Sequence, residues 1–122
     1  MGYDNVGHHA AVCMEMNELY DRKNRDYGDS FHKTFMEEGM AMARIRLSDK
    51  LERFKKLSRA DEEARVKDES IRDTLVDLAN YAVMTVMEID REKMEKDEQD
   101  AGSETGRMAR PNEAEKRPSE TW

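Results

Sequence analysis

One stretch of the sequence, from Asp68 to Asp90, constrains the fold more than any other. Drawn as a helix with about 3.6 residues per turn, it has a main apolar face formed by Ile71, Leu75, Leu78, Ala82, Val86 and Ile89. Much of its opposite side is also apolar, through Val76, Val83 and Met87. A helix that is apolar almost all round normally lies inside a bundle or an oligomer. The sequence therefore predicts an all-α protein built around this helix.

Three polar residues interrupt the same helix, namely Asp73, Asp77 and Asn80. Their spacings of four and three place them in one line, which we call the polar stripe. Carboxylates on such a helix are costly unless cations, a metal ion or hydrogen bonds satisfy them. Asp73 also has a purely structural interpretation, because Ser70 three residues earlier resembles the start of a capping box. Asp77 is the stronger candidate for chemistry, since it lies deep in the apolar run.

The rest of the chain predicts a small helical bundle of three to four main helices. A first helix is indicated by apolar residues at helical spacing, Val12, Met16, Leu19 and Tyr20. A short helix carries Phe31 and Phe35 and is expected to stop at Gly39, the usual residue just past a helix end. A long helix then starts at Met40, with an apolar face formed by Met40, Ala43, Leu47, Leu51 and Phe54. The mostly charged segment from Lys55 to Glu69 is predicted to be a helix end and a solvated connection.

Apolar residues are concentrated before about residue 92, which predicts one helical domain over residues 1–92. The charged segment 93–122 has few apolar residues, and their burial would not offset the conformational entropy lost when the segment becomes ordered. A mobile tail is therefore expected beyond its first turn or two. In a three-helix unit, a helix that is apolar almost all round keeps one face to be buried in a dimer or a larger assembly. Oligomerisation is therefore expected to complete the bundle.

The net charge of −7 argues against a protein that binds duplex nucleic acid, because such binding needs a basic surface. A nucleotide remains possible, since one pocket needs only a few cations. No apolar run approaches the roughly 18 residues of a membrane span, and the start of the chain lacks the pattern of a signal peptide. Cys13 is the single cysteine, so no intrachain disulfide can form. We therefore expect a cytoplasmic protein without a membrane partner.

A second line of polar residues, Arg46, Lys50 and Arg53, lies on the edge of the long helix opposite its apolar face. We call it the basic stripe. If it packs antiparallel to the polar stripe, the two can simply pair in a closed polar seam. Alternatively, the acids hold Mg²⁺ while the cations receive the phosphates that the metal bridges. Glu52 completes the acid set only if its own face lines the same cleft; otherwise it is solvated or paired with a neighbouring basic residue.

The segment from Lys23 to Ser30 breaks the helical periodicity and is predicted to be an ordered loop. It offers a mixture of groups suited to holding a base or a sugar, on Lys23, Asn24, Asp26, Tyr27, Asp29 and Ser30. The same residue types also make ordinary turns, and Tyr27 can equally pack on the bundle. His32 is the one histidine near the predicted cleft and could act as a base, although a lone histidine is more often a surface or capping residue.

Three blocks together resemble a known family: KNRDYGDSF at Lys23 to Phe31, IRLSDKLERFKKL at Ile45 to Leu57 and DESIRDTLVDLANYA at Asp68 to Ala82. In this order and at these distances they closely resemble the nucleotide modification associated domain, type 1, a small helical family common in phages and bacteria. The resemblance covers about residues 10–92 and implies a nucleotide-related function.

The helix with the polar stripe is also similar, more distantly, to those of all-α nucleoside triphosphate pyrophosphohydrolases of the MazG and dimeric dUTPase type. Those enzymes coordinate Mg²⁺ with an ExxE pair on one helix and an ExxD pair on another. This sequence departs from both pairs, with Asp49 and Glu52 at the first position and the polar stripe at the second. The departure leaves a pocket that binds nucleotides without cleaving them as an alternative.

These resemblances imply two functions. The first is Mg²⁺-dependent hydrolysis between the α- and β-phosphates of a nucleotide, with the metal held by Asp73, Asp77 and Glu52. Lys50 and Arg53 would then bind phosphate and stabilise developing charge. The second is a non-catalytic protein, for example a phage sponge that sequesters a nucleotide immune signal, which binds its ligand through the loop and through Arg46, Lys50, Arg53 and Asn80. The incomplete acid set favours binding, and the ancestry favours hydrolysis.

Overall fold

The computed structural model describes residues 2–27, 29–59 and 64–103, and all regular structure in these ranges is α-helical. Four helices follow one another along the chain: α1 (Asn5–Tyr27), α2 (Ser30–Glu38), α3 (Met40–Arg59) and α4 (Ala64–Ser103). The prediction of an all-α bundle with three to four main helices is confirmed. None of the helices, over the residues described, is long and apolar enough to cross a membrane.

The junction between α2 and α3 is a single residue, Gly39, as the sequence predicts. Its φ of 74° and ψ of −158° lie in a region that is essentially restricted to glycine. The Gly39 N–H donates a hydrogen bond of 2.7 Å to the carbonyl of Phe35, which closes the end of α2. The predicted stop at Gly39 and start at Met40 are therefore confirmed.

Helix α1 extends further than the sequence predicts, because it runs through Tyr27. The prediction of a loop starting at Lys23 is therefore wrong for its first five residues, which form the last turn of α1. Charged and amide side chains cost a helix only a fraction of a kcal/mol each, so they do not end it by themselves. An ion pair between Asp21 and Arg25, at 3.2 Å and one turn apart, also supports this last turn.

Helix α4 is longer than predicted at both ends. It begins at Ala64, so Ser70 lies inside it, and the capping box between Ser70 and Asp73 is wrong; the Ser70 carbonyl instead accepts a 2.8 Å hydrogen bond from the Thr74 hydroxyl. At its other end the helix continues to Ser103, which is further than the first turn or two of the segment 93–122 that the sequence predicted to be ordered. Residues 93–103 include Lys, Glu, Gln, Met and Ala, which extend an existing helix at little cost. The remainder of the predicted tail lies outside the described residues.

The chain forms two compact units, Met1–Ile89 and Asp90–Trp122. The core of the first unit is small and centred on the α2–α3 junction, where Phe35, Met42 and Ala43 are buried and Phe31 packs against them. Helix α4 contributes buried Val76, and its Tyr81 ring lies 5.9 Å from that of Phe31. None of the large side chains described is completely buried. Such a core leaves much of the helix surface available for contacts outside it.

Candidate functional site

Asp77 of α4 lies where α1 and α3 both reach this helix. The Lys50 Nζ of α3 donates a 3.2 Å hydrogen bond to Asp77 Oδ2. From α1, the Lys23 Nζ lies 3.8 Å from the other carboxylate oxygen, Oδ1. The Asp77 and Lys50 side chains are 27% and 28% exposed, and that of Lys23 is 56% exposed. One partly buried carboxylate is thus shared by two ammonium groups, an arrangement that we call the Lys23–Asp77–Lys50 cluster.

The charge of this cluster is not balanced, because two positive groups meet one negative group. Each lysine ammonium carries three N–H donors. One donor of Lys50 is engaged in the hydrogen bond to Asp77, whereas Lys23 makes a longer ion pair of 3.8 Å with the same carboxylate. The remaining donors can reach another acceptor, since both lysines are partly exposed to solvent. The cluster therefore has a formal charge of about +1 and spare donors, which suit an anionic ligand.

The basic and polar stripes meet at one pair, Lys50 and Asp77, among the residues described. Arg46 and Arg53 lie about one turn to either side of Lys50 on α3 and are exposed. Asp73 is exposed near the start of the polar stripe. Asn80 is half-buried, and its amide donates a 3.3 Å hydrogen bond to the Met16 carbonyl of α1. The predicted polar seam is therefore partial, and Asn80 holds α1 against α4.

Of the six residues predicted to read a base or a sugar, the structure brings Lys23 into contact with Asp77. Asn24 and Asp26 are exposed on the last turn of α1, which ends at Tyr27, whose side chain lies outside the described residues. Asp29 and Ser30 are exposed at the start of α2. Their carbonyls accept hydrogen bonds from the Lys33 N–H at 3.1 Å and the Thr34 hydroxyl at 3.0 Å, respectively, so part of their role is to begin that helix.

The predicted metal set of Asp73, Asp77 and Glu52 does not assemble as three converging carboxylates. In the part of the chain that the structure describes, no group of three acidic, histidine or cysteine side chains is placed to hold a metal ion. The Glu52 side chain is 70% exposed and pairs with Lys55 at 3.5 Å, as in the alternative interpretation of this residue. Asp77 is held by two lysines. Magnesium therefore stays a prediction, and no step of the proposed function depends on it.

The sequence did not point to Glu88 of α4, which is 6% exposed and lies 2.8 Å, through Oε1, from Nδ1 of His32. His32 was predicted to be a base or an ordinary surface residue, and the structure places it half-buried on α2 in this pair. One signal was available, since Glu88 follows Asp77 by 11 residues and therefore shares its face of the helix. Glu88 was not recognised as a candidate because the residues around it in the sequence are apolar.

A second pair that the sequence did not indicate joins α1 to α4 at the surface. The Arg72 guanidinium donates two hydrogen bonds to the Glu15 carboxylate, of 2.7 and 2.9 Å. These hydrogen bonds, and to a lesser degree the charge of Arg72, lower the pKa of Glu15 below its ordinary value. Both side chains are about half exposed, so solvent screens the pair. It joins α1 to α4 and lies outside the Lys23–Asp77–Lys50 cluster.

A family model for the nucleotide modification associated domain 1 matches residues 23–89. The chain belongs to this family. The segment that matches the nucleotide modification associated domain 1 begins at Lys23, includes Lys50 and Asp77, and ends one residue after the buried Glu88. The resemblance carried by the three sequence blocks is thus confirmed, whereas the more distant similarity to MazG-type enzymes is not. Comparison with curated proteins and with solved structures gave no significant match.

Proposed function

We propose that this protein binds a nucleotide, or a small molecule derived from one, with its phosphates at the Lys23–Asp77–Lys50 cluster. The observation that carries the proposal is the convergence of two lysines, from α1 and α3, on one carboxylate of α4. The family supplies the link to nucleotides, and the cluster supplies the cations that a phosphate requires.

A phosphate would use the donors that Asp77 leaves unused on the two ammonium groups. Lysine binds phosphate as a point charge that needs no fixed orientation, so Lys23 and Lys50 can adjust to the ligand. Arg46 and Arg53 lie about one helical turn from Lys50 on the same helix and are exposed. Their guanidinium groups can hold further phosphate oxygens in a bidentate manner. A ligand with two or more phosphates therefore fits this side of α3 better than a neutral nucleoside.

Binding without turnover is better supported than pyrophosphohydrolysis. The enzymatic alternative requires carboxylates that hold magnesium near the phosphates, and the described residues do not bring Asp73, Asp77 and Glu52 together. Affinity without cleavage is also what a sponge for a nucleotide immune signal would need. We therefore infer that the ligand leaves the protein chemically unchanged.

One experiment separates binding from hydrolysis. The purified protein is incubated with a panel of nucleoside triphosphates and cyclic dinucleotides, with and without Mg²⁺, and is then heat-denatured, and the supernatant is chromatographed. Depletion of one compound before denaturation and its intact recovery afterwards supports the proposal. Metal-dependent appearance of a monophosphate and pyrophosphate would instead establish hydrolysis.

Matched lysine variants test where the ligand binds. Lys50→Met and Lys23→Met each remove one ammonium group of the cluster and keep a side chain of similar length. We expect each to weaken binding of the identified nucleotide by about tenfold or more, the effect of one charge-assisted hydrogen bond. Lys56→Met, an exposed position on the same helix α3, is the control. An equal loss with Lys56→Met would show that net charge, rather than the cluster, determines affinity.

A further inference from the structure

Helix α4 presents an exposed apolar face within the first unit. Four large side chains on it, Leu75, Val83, Val86 and Ile89, are 40%, 46%, 53% and 46% exposed. Ala79 and Ala82 lie between them, half-buried and exposed respectively. We call these six residues the α4 apolar face. They expose on the order of 400 Å² of apolar surface, which is the size of the largest apolar patch on a typical monomer, and such patches are often functional.

The spacing of the α4 apolar face is that of a helix that packs along another helix. Leu75, Ala79, Ala82, Val86 and Ile89 follow one another at intervals of four, three, four and three residues. This average of 3.5 residues is the repeat of a coiled-coil seam. Charged residues, Arg72 and Lys93, occupy the next positions at the same spacing. These charged residues limit the apolar seam to the stretch from Leu75 to Ile89, which is about 22 Å long, or four turns of helix.

We propose that the α4 apolar face is the contact through which two copies of this chain associate. A second copy presents the same seam, so a two-fold axis lets each face cover the other. In an antiparallel pair centred on Ala82, Ala79 of one copy faces Val86 of the other, and Leu75 faces Ile89. The small Ala79 and Ala82 in the middle of the contact let the two helices pack closely.

The area of the face agrees with such a dimer. Interfaces are somewhat more than half apolar, so an apolar area on the order of 400 Å² corresponds to roughly 700 Å² per copy. Stable interfaces bury about 800 Å² per partner. The first unit has few buried side chains of its own, and none of the large side chains described is completely buried. A second copy supplies the apolar cover that this small core lacks.

The test is the mass of the full chain in solution, measured by sedimentation equilibrium from low to high micromolar concentration. We expect twice the 14.3 kDa of one chain. Val86→Glu places a charge in the seam at a side chain that is 53% exposed, and it should weaken self-association by about tenfold or more. Ile45→Glu is the matched control, because Ile45 is also apolar and exposed, at 60%, but lies on α3.

Far-UV circular dichroism shows whether each variant is folded. If Val86→Glu does not fold, Ile89→Lys, at a side chain that is 46% exposed, takes its place in the comparison. A wild-type chain that stays monomeric at all concentrations overturns the proposal. So does a folded seam variant that associates as strongly as the wild type, or an Ile45→Glu variant that dissociates as readily as the seam variant.

Discussion

The Nδ1 atom of His32 lies 2.8 Å from Oε1 of Glu88, and this contact joins α2 to α4 across 56 residues of sequence. Glu88 is 6% exposed, so its carboxylate depends on partners inside the protein. We expect His32→Ala to lower the free energy of unfolding by about 1–3 kcal/mol, because it removes one of the hydrogen-bond partners of a buried polar group.

Glu88→Ala should be destabilising by a similar amount, as measured by urea denaturation followed by circular dichroism. Glu92→Ala is the control, since Glu92 is exposed on the same helix. If Glu88→Ala and Glu92→Ala unfold at the same urea concentration, the pair does not stabilise the bundle.

Gly39 adopts a backbone conformation that few other residues tolerate, with φ of 74° and ψ of −158°. Gly39→Ala should therefore destabilise the protein by about 1–3 kcal/mol, although no atom lies within 4 Å of the added Cβ. Asparagine tolerates the ordinary left-handed helical region but not this one, so Gly39→Asn should not be better than Gly39→Ala. Thermal unfolding of both variants measures this. Gly102→Ala, at a helical glycine, serves as the control and should be neutral or stabilising.

The Glu15–Arg72 pair predicts a pH-dependent contribution to stability. Arg72 holds the pKa of Glu15 below its ordinary value in the folded protein, chiefly through hydrogen bonds. The contribution is therefore present above the pKa of the unfolded chain and is lost as pH falls through the lower folded pKa. We expect Glu15→Gln to be less stable than the wild type at neutral pH and equally stable in acid. Urea denaturation at several pH values checks this, and added salt should reduce the difference, because the pair is exposed.

A further prediction concerns Asp77, which repels an anion that approaches Lys23 and Lys50. Asp77→Asn should strengthen nucleotide binding by about three- to tenfold, as expected from removing one like charge a few ångströms away. Calorimetric titration at two salt concentrations measures the change, which should shrink in high salt. Weaker binding in the presence of Mg²⁺ would instead identify Asp77 as a metal ligand.

Helices whose apolar residues recur at helical spacing over a long stretch were predicted well from the sequence. The contacts between these helices were predicted poorly. Gly39 was a reliable signal because its conformation excludes other residues. Asn24 and Asp26 were misleading, since their preference for turns is weak enough for α1 to continue through them. Within the candidate site, the Lys50–Asp77 contact could be predicted, because the basic stripe and the polar stripe have the same spacing.

The participation of Lys23 in the cluster could not be derived from its neighbours in sequence. It depends on where α1 crosses α4, and that is set by Asn80 and by the Arg72–Glu15 pair. Such contacts join residues separated by 57 and 64 positions and leave no periodic pattern. The contact of Glu88 with His32 likewise joins two helices and could not be derived from neighbours in the sequence.

The single-residue junction at Gly39 also determines the order in which this protein is expected to fold. It brings Phe35 close to Met42 and Ala43, so the buried cluster assembles from residues less than ten positions apart. Closing such a short segment costs little chain entropy, whereas α1 and α4 must diffuse together over the length of the domain. The α2–α3 corner is thus the natural folding nucleus, and substitutions within it should slow refolding more than those at the ion pairs that later dock α1 and α4.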